Sequence, residues 1–419
     1  MKKLILRLQR FYLMSKIIKV IVMFSIVLIF VSCDNTNIIE NTNIIEKKVF
    51  YSAADRGSAY IENNKIISYK EDKFLEFLDF NGTNYLIRLI HLKDNEIIED
   101  IVLDTVHDNH GGGSIVFNNE KKICIVYDGH QNNLKYRCSK NKLSISAWDN
   151  IQYINDKNST LTYPSVIFDT NNTLHLLYRA INTIDKKTHL MYMKSSESNI
   201  SKHQKIFLHS TNDKYSNFTA TLVEDEDSLK ILFRHYGHAF GGTEFNKGVY
   251  LYDMELDKKI VFLEGKEDSL EKIFYVSNLI LNENSLVFNV MNYSYPNIFF
   301  KLYMLDSDLN IEQEVNLINL LEDFIDFNQE KISPYIGMAQ NIDNELFILF
   351  STTGDNKWDS LSNKIYYFKY SKIDNTLSLV FSGKESSWLG NLEKNSKNKI
   401  PDIIYTDNNE SNIIYMHFD

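Results

Sequence analysis

The stretch SIVFNNEKKICIVYD, residues 114–128, holds two short apolar runs around a polar turn, and this pattern returns along the chain. It recurs as SVIFDTNNTLHLLYR (165–179), ATLVEDEDSLKILFR (220–234), NLILNENSLVFNVMN (278–292) and MAQNIDNELFILFST (338–352). Each copy reads as a strand, a turn rich in Asn, Asp or Glu, and a second strand ending in an aromatic or polar residue. SAYIENNKIISYK (58–70) is a degenerate earlier copy, and DIIYTDNNESNIIYMHF (402–418) is the closing one. Equivalent positions Val116, Val166, Leu222, Ile280 and Ala339 follow one another at intervals of 50 to 59 residues. A unit of that size filled by four short strands is a propeller blade. The expected fold is all-β, a seven-bladed β-propeller spanning 48–419 as a single domain, with six blades as the alternative. Pro164, Pro334 and Pro401 each stand just before a unit's first strand, where no ladder donor is needed. The closing unit stops after two strands at Phe418, so ring closure requires a segment from early in the chain. The best helix candidate is Ile318 to Phe327.

Composition agrees with this reading. The 419 residues are 44% hydrophobic and 24% charged, a globular balance, and 25 Tyr and 26 Phe favour strands. With 4 Pro and 15 Gly, collagen-like and Pro-rich classes are excluded.

The first residues differ from the rest. Lys2, Lys3, Arg7, Arg10, Lys16 and Lys19 precede any acidic residue, and an apolar run from Val20 to Val31 leads to Ser32-Cys33. This is a charged region, an apolar region and a small residue before a cut. The apolar run is short for a membrane span. Residues 1–32 read as a lipoprotein signal peptide, Cys33 as the lipidated residue, and 33–47, with NTNIIE twice in succession, as a tether. The alternative is an uncleaved membrane anchor. The expected location is the bacterial cell envelope, with the chain held to the membrane by its lipid. The formal charge of −10 becomes more negative once six basic residues leave with the leader. So acidic a body argues against nucleic acid as a partner, since that binding rests on neutralising phosphates. Cys124 and Cys138 form no zinc pattern or disulfide framework, but they flank a hairpin symmetrically, which permits a cross-strand bridge.

Chemistry concentrates at the ends of second strands and at the turns into blades. Asp108-Asn109-His110 runs into Gly111-Gly112-Gly113, and the Gly run suits close backbone approach. Twenty residues on stand Asp128-Gly129-His130. The next two strand ends carry Tyr178-Arg179 and Arg234-His235-Tyr236-Gly237-His238. Imidazole, phenol and guanidinium on successive blades suit an anionic ligand. Arg pairs a carboxylate bidentately, and His and Tyr move protons. The structural alternative is a set of turn-bound His and core aromatics. No P-loop, dinucleotide fingerprint, GxSxG or HExxH is present, and no sialidase-type Asp-box.

These residues resemble the BNR-repeat propeller family that includes ulvan lyases. The resemblance rests on Asp108-x-His110, on His130 ahead of Leu134-x-Tyr136-Arg137, on Thr162-Tyr163-Pro164 and on Leu177-Tyr178-Arg179. It is clearest over about 105–255. Ala180-Ile181-Asn182-Thr183 replaces the Gly- and Ser-rich loop that many family members carry there. The resemblance implies a polysaccharide lyase that cleaves an acidic polysaccharide by β-elimination at a uronic acid. Arg234, with His130, would neutralise the carboxylate. His110 and Tyr178 would serve as base and acid, in either order. Asn109, Arg179, Tyr236, His238 and Tyr163 would bind the sugar. No redox cofactor is needed for that chemistry, and the ligands of any structural divalent metal stay unassigned. The competing expectations are a non-catalytic glycan-binding propeller and a glycoside hydrolase with paired carboxylates.

Overall fold

The computed structural model describes residues 44–50, 54–130, 132–156, 158–196, 200, 204–211, 220–225, 228–235, 248–255, 258–264, 274–292, 299–354 and 362–418. They form seven antiparallel sheets, one per blade. Blade 1 runs from Ile66–Tyr69 to Glu96–Val106, blade 2 from Ser114–Phe117 to Gln152–Ile154, and blade 3 from Ser159–Phe168 to Gln204–Thr211. Blades 4, 5 and 6 run from Thr221–Asp225 to Lys258–Glu264, from Phe274–Val276 to Ile311–Asn316, and from Lys331–Gln340 to Thr376–Ser382. The five equivalent positions of the repeat all fall in the first part of their blades, where the sequence places them.

The inner strands of the blades are buried on both faces, which is why they read as near-continuous apolar runs, whereas outermost strands such as Glu96–Val106 and Ile311–Asn316 are largely exposed. Successive side chains point to opposite faces of a strand. In blade 2, Ile123, Ile125 and Tyr127 therefore pack toward blade 1, while Cys124 and Val126 pack toward blade 3. In blade 3, Leu176 and Tyr178 face blade 2 and Leu177 faces blade 4. One apolar cluster fills the gap between each pair of neighbouring blades around the ring.

The closing blade corrects one detail of the sequence reading. Residues 402–418 are its second and third strands, Ile403–Asp407 and Asn412–Phe418, because Ser387–Leu392 precedes them as the first. Pro401 therefore stands before a second strand. The fourth strand is Ile44–Phe50, which pairs with Asn412–Phe418 in the register Ile44↔Phe418. The early segment required for ring closure is thus present, and its first four residues lie inside the span expected to be tether. Cys33 and the signal peptide lie outside the described residues. No described helix is long and apolar enough to cross a membrane. The helix expected over Ile318–Phe327 is one short turn, Leu317–Leu321, capped by the side chain of Asn316.

Asparagine side chains stitch the blades together near the axis. Asn278 accepts from Met338 N and donates to Met338 O, each at 2.8 Å. Asn63 Nδ2 donates to the carbonyls of Gly112 and Gly113 at 3.1 and 3.0 Å. Asn391 Nδ2 donates to the carbonyls of Tyr60 and Asn63 at 3.1 and 3.2 Å. These amides satisfy backbone groups that belong to no ladder. The turns leading into each blade and those between its second and third strands share one rim, here called upper. The remaining turns share the lower rim.

Candidate functional site

The upper rim brings His110, in the turn into blade 2, onto His130, in the turn after its second strand. Their rings stack with centroids 4.2 Å apart at 18°. Two glycine features make this approach feasible. Gly129 adopts φ +94°, and a Cβ there would clash with the Leu161 carbonyl oxygen, which accepts from His130 N at 2.5 Å. Gly113 lies against a buried ion pair, Lys65 with Glu76. Lys65 Nζ donates to Gly113 O at 3.0 Å and Gly113 N donates to Glu76 at 2.9 Å. A Cβ on Gly112 would sit 2.9 Å from Lys65 Nζ, so the glycine run is there for close approach.

Asp108 organises the pair. Its Oδ2 accepts from His130 Nδ1 at 2.5 Å, its Oδ1 accepts from His110 N at 2.9 Å, and His110 Nδ1 stands 3.5 Å from it. Burial alone would raise its carboxyl, but the hydrogen bonds from His110 and His130 outweigh that and hold it well below the usual carboxylate range. Arg56 Nη1 donates to His110 Nε2 at 3.0 Å and to Tyr60 Oη at 3.2 Å. Arginine is always a donor, so His110 Nε2 accepts and its proton lies on Nδ1, facing Asp108. His130 holds its Nδ1 proton toward the same carboxylate, and its ring is about one-third exposed, with Nε2 as its lone-pair nitrogen.

Asp108, His110 and His130 are also the described group whose ligand atoms lie within 4.8 Å of one another, as a metal site would need. The proton on His110 Nδ1 does not fit a resident cation. A metal there would have to displace that proton and the Arg56 contact with it.

Around the pair stand aromatic rings and guanidinium groups from several blades. Tyr60 and Tyr163 are 4.8 Å apart, and Tyr163 lies 6.4 Å from His110. Arg179 stacks on Tyr163 at 4.5 Å, and Arg234 stacks on Tyr275 at 4.3 Å. Asn109 Nδ2 donates to Asp55 at 2.8 Å. Deeper on the axis, Glu62 is buried with neither carboxylate oxygen hydrogen bonded. Burial raises its carboxyl to about 7, against the pull of Lys394, Arg234 and Lys65. Burial likewise lowers Lys394 to about 7.

Of the residues expected at the site, the structure therefore gathers His110, His130, Asn109, Tyr163 and Arg179 at one mouth, while Arg234, on blade 4, stacks on Tyr275 and acts on Glu62 rather than on the histidines. It does not bring Tyr178 there. Strand alternation sends Tyr178 into the core between blades 2 and 3, where its hydroxyl is buried without a partner and burial drives it well above the usual phenol range. Tyr236 and His238 lie outside the described residues. Arg56, Tyr60 and Glu62 were not anticipated, because they come from the turn into blade 1 and carry no motif.

Residues 74–272 match the model of the BNR repeat-containing family. The chain is thus similar over those residues to BNR-repeat proteins, and the seven blades are those of a β-propeller. No curated protein sequence matches it significantly. Among solved structures, the polysaccharide lyase PL25 ulvan lyase superposes with a TM-score of 0.60 at 12% identity, over 89% of this chain and 95% of that one. The same lyase bound to -[GlcA(1-4)Rha3S]- gives 0.61 at 12% identity with the same coverage. The lectin SapL1 with methyl fucoside reaches 0.44 at 10% identity over 79% of this chain and 97% of that one. At 12% identity the likeness to the ulvan lyase is one of fold.

Proposed function

We propose that this propeller is a carbohydrate-active enzyme, a lyase that cleaves an acidic polysaccharide by β-elimination and is held at the cell envelope through lipidated Cys33. The observation that carries the reading is the Asp108-oriented His130 stacked on a histidine that an arginine contacts. In this mechanism a uronate carboxylate lies against Arg56 and Arg179, which neutralise it and acidify the C5 proton. His130 Nε2 takes that proton, and Asp108 stabilises the imidazolium that results. The electron pair forms the C4–C5 double bond as the C4–O4 bond breaks. The departing O4 takes a proton from the phenol of Tyr163, which replaces Tyr178 as the candidate acid.

The test is a panel of ulvan, glycosaminoglycans, alginate and pectin, read by the ultraviolet absorbance of the unsaturated uronate. His130→Gln should lower the rate at least about hundredfold, the scale of general base catalysis. Wild-type activity in that variant would sink the assignment. A binding-only propeller is the second reading, favoured by the burial of Tyr178 away from the histidines. It expects saturable glycan binding with neither unsaturation nor new reducing ends.

A further inference from the structure

The rim opposite the histidines carries a basic patch that the proposed chemistry leaves unused. Lys70 lies in the first turn of blade 1, Lys121 in the first turn of blade 2, and Lys142 in the turn after the third strand of blade 2. All three belong to the lower rim. Their ammonium groups converge on one ring, Tyr69, at 5.8, 5.3 and 5.9 Å from its centroid. Among the described residues none of the three has an acidic partner within ion-pair distance. Three like charges around one aromatic ring repel one another and are stabilised by an external anion. Lys140, in the same turn as Lys142, is exposed, as are Lys397 and Lys399 in the first turn of blade 7, which neighbours blade 1 around the ring. The same turns of blades 1 and 2 also hold Glu71, Asp94 and Glu120, whereas the lower turns of blades 5 and 6 carry Glu283, Asp306, Asp308, Asp343 and Asp374 against a single Lys372. The lysine excess of the lower rim is thus local to blades 7, 1 and 2, on a chain whose net charge is negative.

The chain joins the propeller at the same place. Ile44 begins the outermost strand of blade 7 opposite Phe418, at the lower rim. Between Cys33 and Ile44 lie few enough residues to span at most about 40 Å when fully extended. We propose that the lysine-bearing lower rim of blades 7, 1 and 2 docks on the surface of an anionic lipid bilayer, which turns the histidine mouth away from the membrane. The proposal rests on the reading of Cys33 as a lipid anchor. Lysines near an anionic leaflet bind by a surface potential that salt screens.

The test uses residues 39–419, one compact unit whose seven sheets draw on nothing before Ile44. It is mixed with phosphatidylcholine vesicles made with or without phosphatidylglycerol, at low and at physiological salt, and bound protein is measured by flotation. Binding is expected only with the anionic lipid and should weaken as salt rises. The triple variant Lys70→Gln, Lys121→Gln and Lys142→Gln should bind about a hundredfold more weakly, at about fivefold per lysine. Its melting temperature should stay at the wild-type value because the three side chains are at the surface. Lys186→Gln with Lys187→Gln, in a turn of the upper rim, should change nothing. Equal binding to neutral vesicles, no binding to anionic ones, or an unaffected triple variant would overturn the proposal. So would a sulfated glycan fragment that binds these lysines while vesicles do not. The anchor is tested separately, by the mass of the N-terminal peptide of the membrane-bound chain. A free Cys33 within an unprocessed leader would end that reading and leave the vesicle result standing on its own.

Discussion

Gly129 shows how much of the site depends on single backbone positions. It sits at φ +94°, and a Cβ there would run into the Leu161 carbonyl that receives His130 N. Gly129→Ala should therefore destabilise the fold on the order of 1–3 kcal/mol, the usual cost of a strained residue, and move the His130 ring. A melting temperature equal to wild type would show that the turn relaxes instead. The neighbouring Asp108-Asn109-His110 and triple glycine were legible in the sequence because a polar triplet before three glycines has no use in an ordinary strand. Arg56 and Tyr60 were not legible, because their link to His110 exists only once blade 1 lies beside blade 2. Tyr178 and Arg179 read alike as neighbours in the chain. Alternation along the strand sends the tyrosine to the core and leaves the arginine stacked on Tyr163 at the mouth.

At the scale of strands, blade 2 carries a covalent cross-link. Cys124 and Cys138 are directly opposed in its second and third strands and are joined by a disulfide. Their symmetric placement about the hairpin permitted this pairing in the sequence, but only the register makes them partners. The turn they close carries His130, so the bond stiffens the segment that presents the candidate base. Replacing both by Ser should cost about 2–4 kcal/mol, seen as an earlier urea midpoint. An unchanged midpoint would mean that the loop is already held by its ladder and by the Asp108 contact. The short helix shows the opposite limit. The best helix candidate spanned the ten residues Ile318–Phe327, yet the chain leaves the helix after Leu321, whose carbonyl accepts from both Phe324 N and Ile325 N as the turn winds down.

For the whole ring, stability depends on the contact between blades 7 and 1. Lys73 of blade 1 pairs with Asp402, which also accepts from Tyr415 at 2.6 Å and contacts His417 at 2.8 Å. Glu393 lies close by. Burial and the Asp402 charge raise its carboxyl from 4.5 to about 7. The native ring therefore holds a proton between about pH 4.5 and 7 that the unfolded chain releases. Stability should fall as pH rises through that window. Glu62 acts in the same direction. Asp108, shifted downward, acts below it, and Lys394, lowered to about 7, adds stability only above it. Urea midpoints at pH 5 and pH 7.5 should differ in that sense, and Glu393→Gln should reduce the difference. A midpoint that rises over the same interval would contradict the assignment. The seven-fold repeat itself was readable because the inner strands of each blade bury both faces and so repeat one apolar grammar; the order of strands in the last blade was not, because its first strand, Ser387–Leu392, falls outside that repeat. The pairing of Ile44 with Phe418 also sets a timetable for synthesis. The outermost strand of blade 7 leaves the ribosome early and has no partner until nearly the whole chain has followed it. A nascent chain can build blades 1 to 6 in turn, but the ring stays open until Asn412–Phe418 has emerged, and any truncation that removes that strand leaves it permanently unlocked.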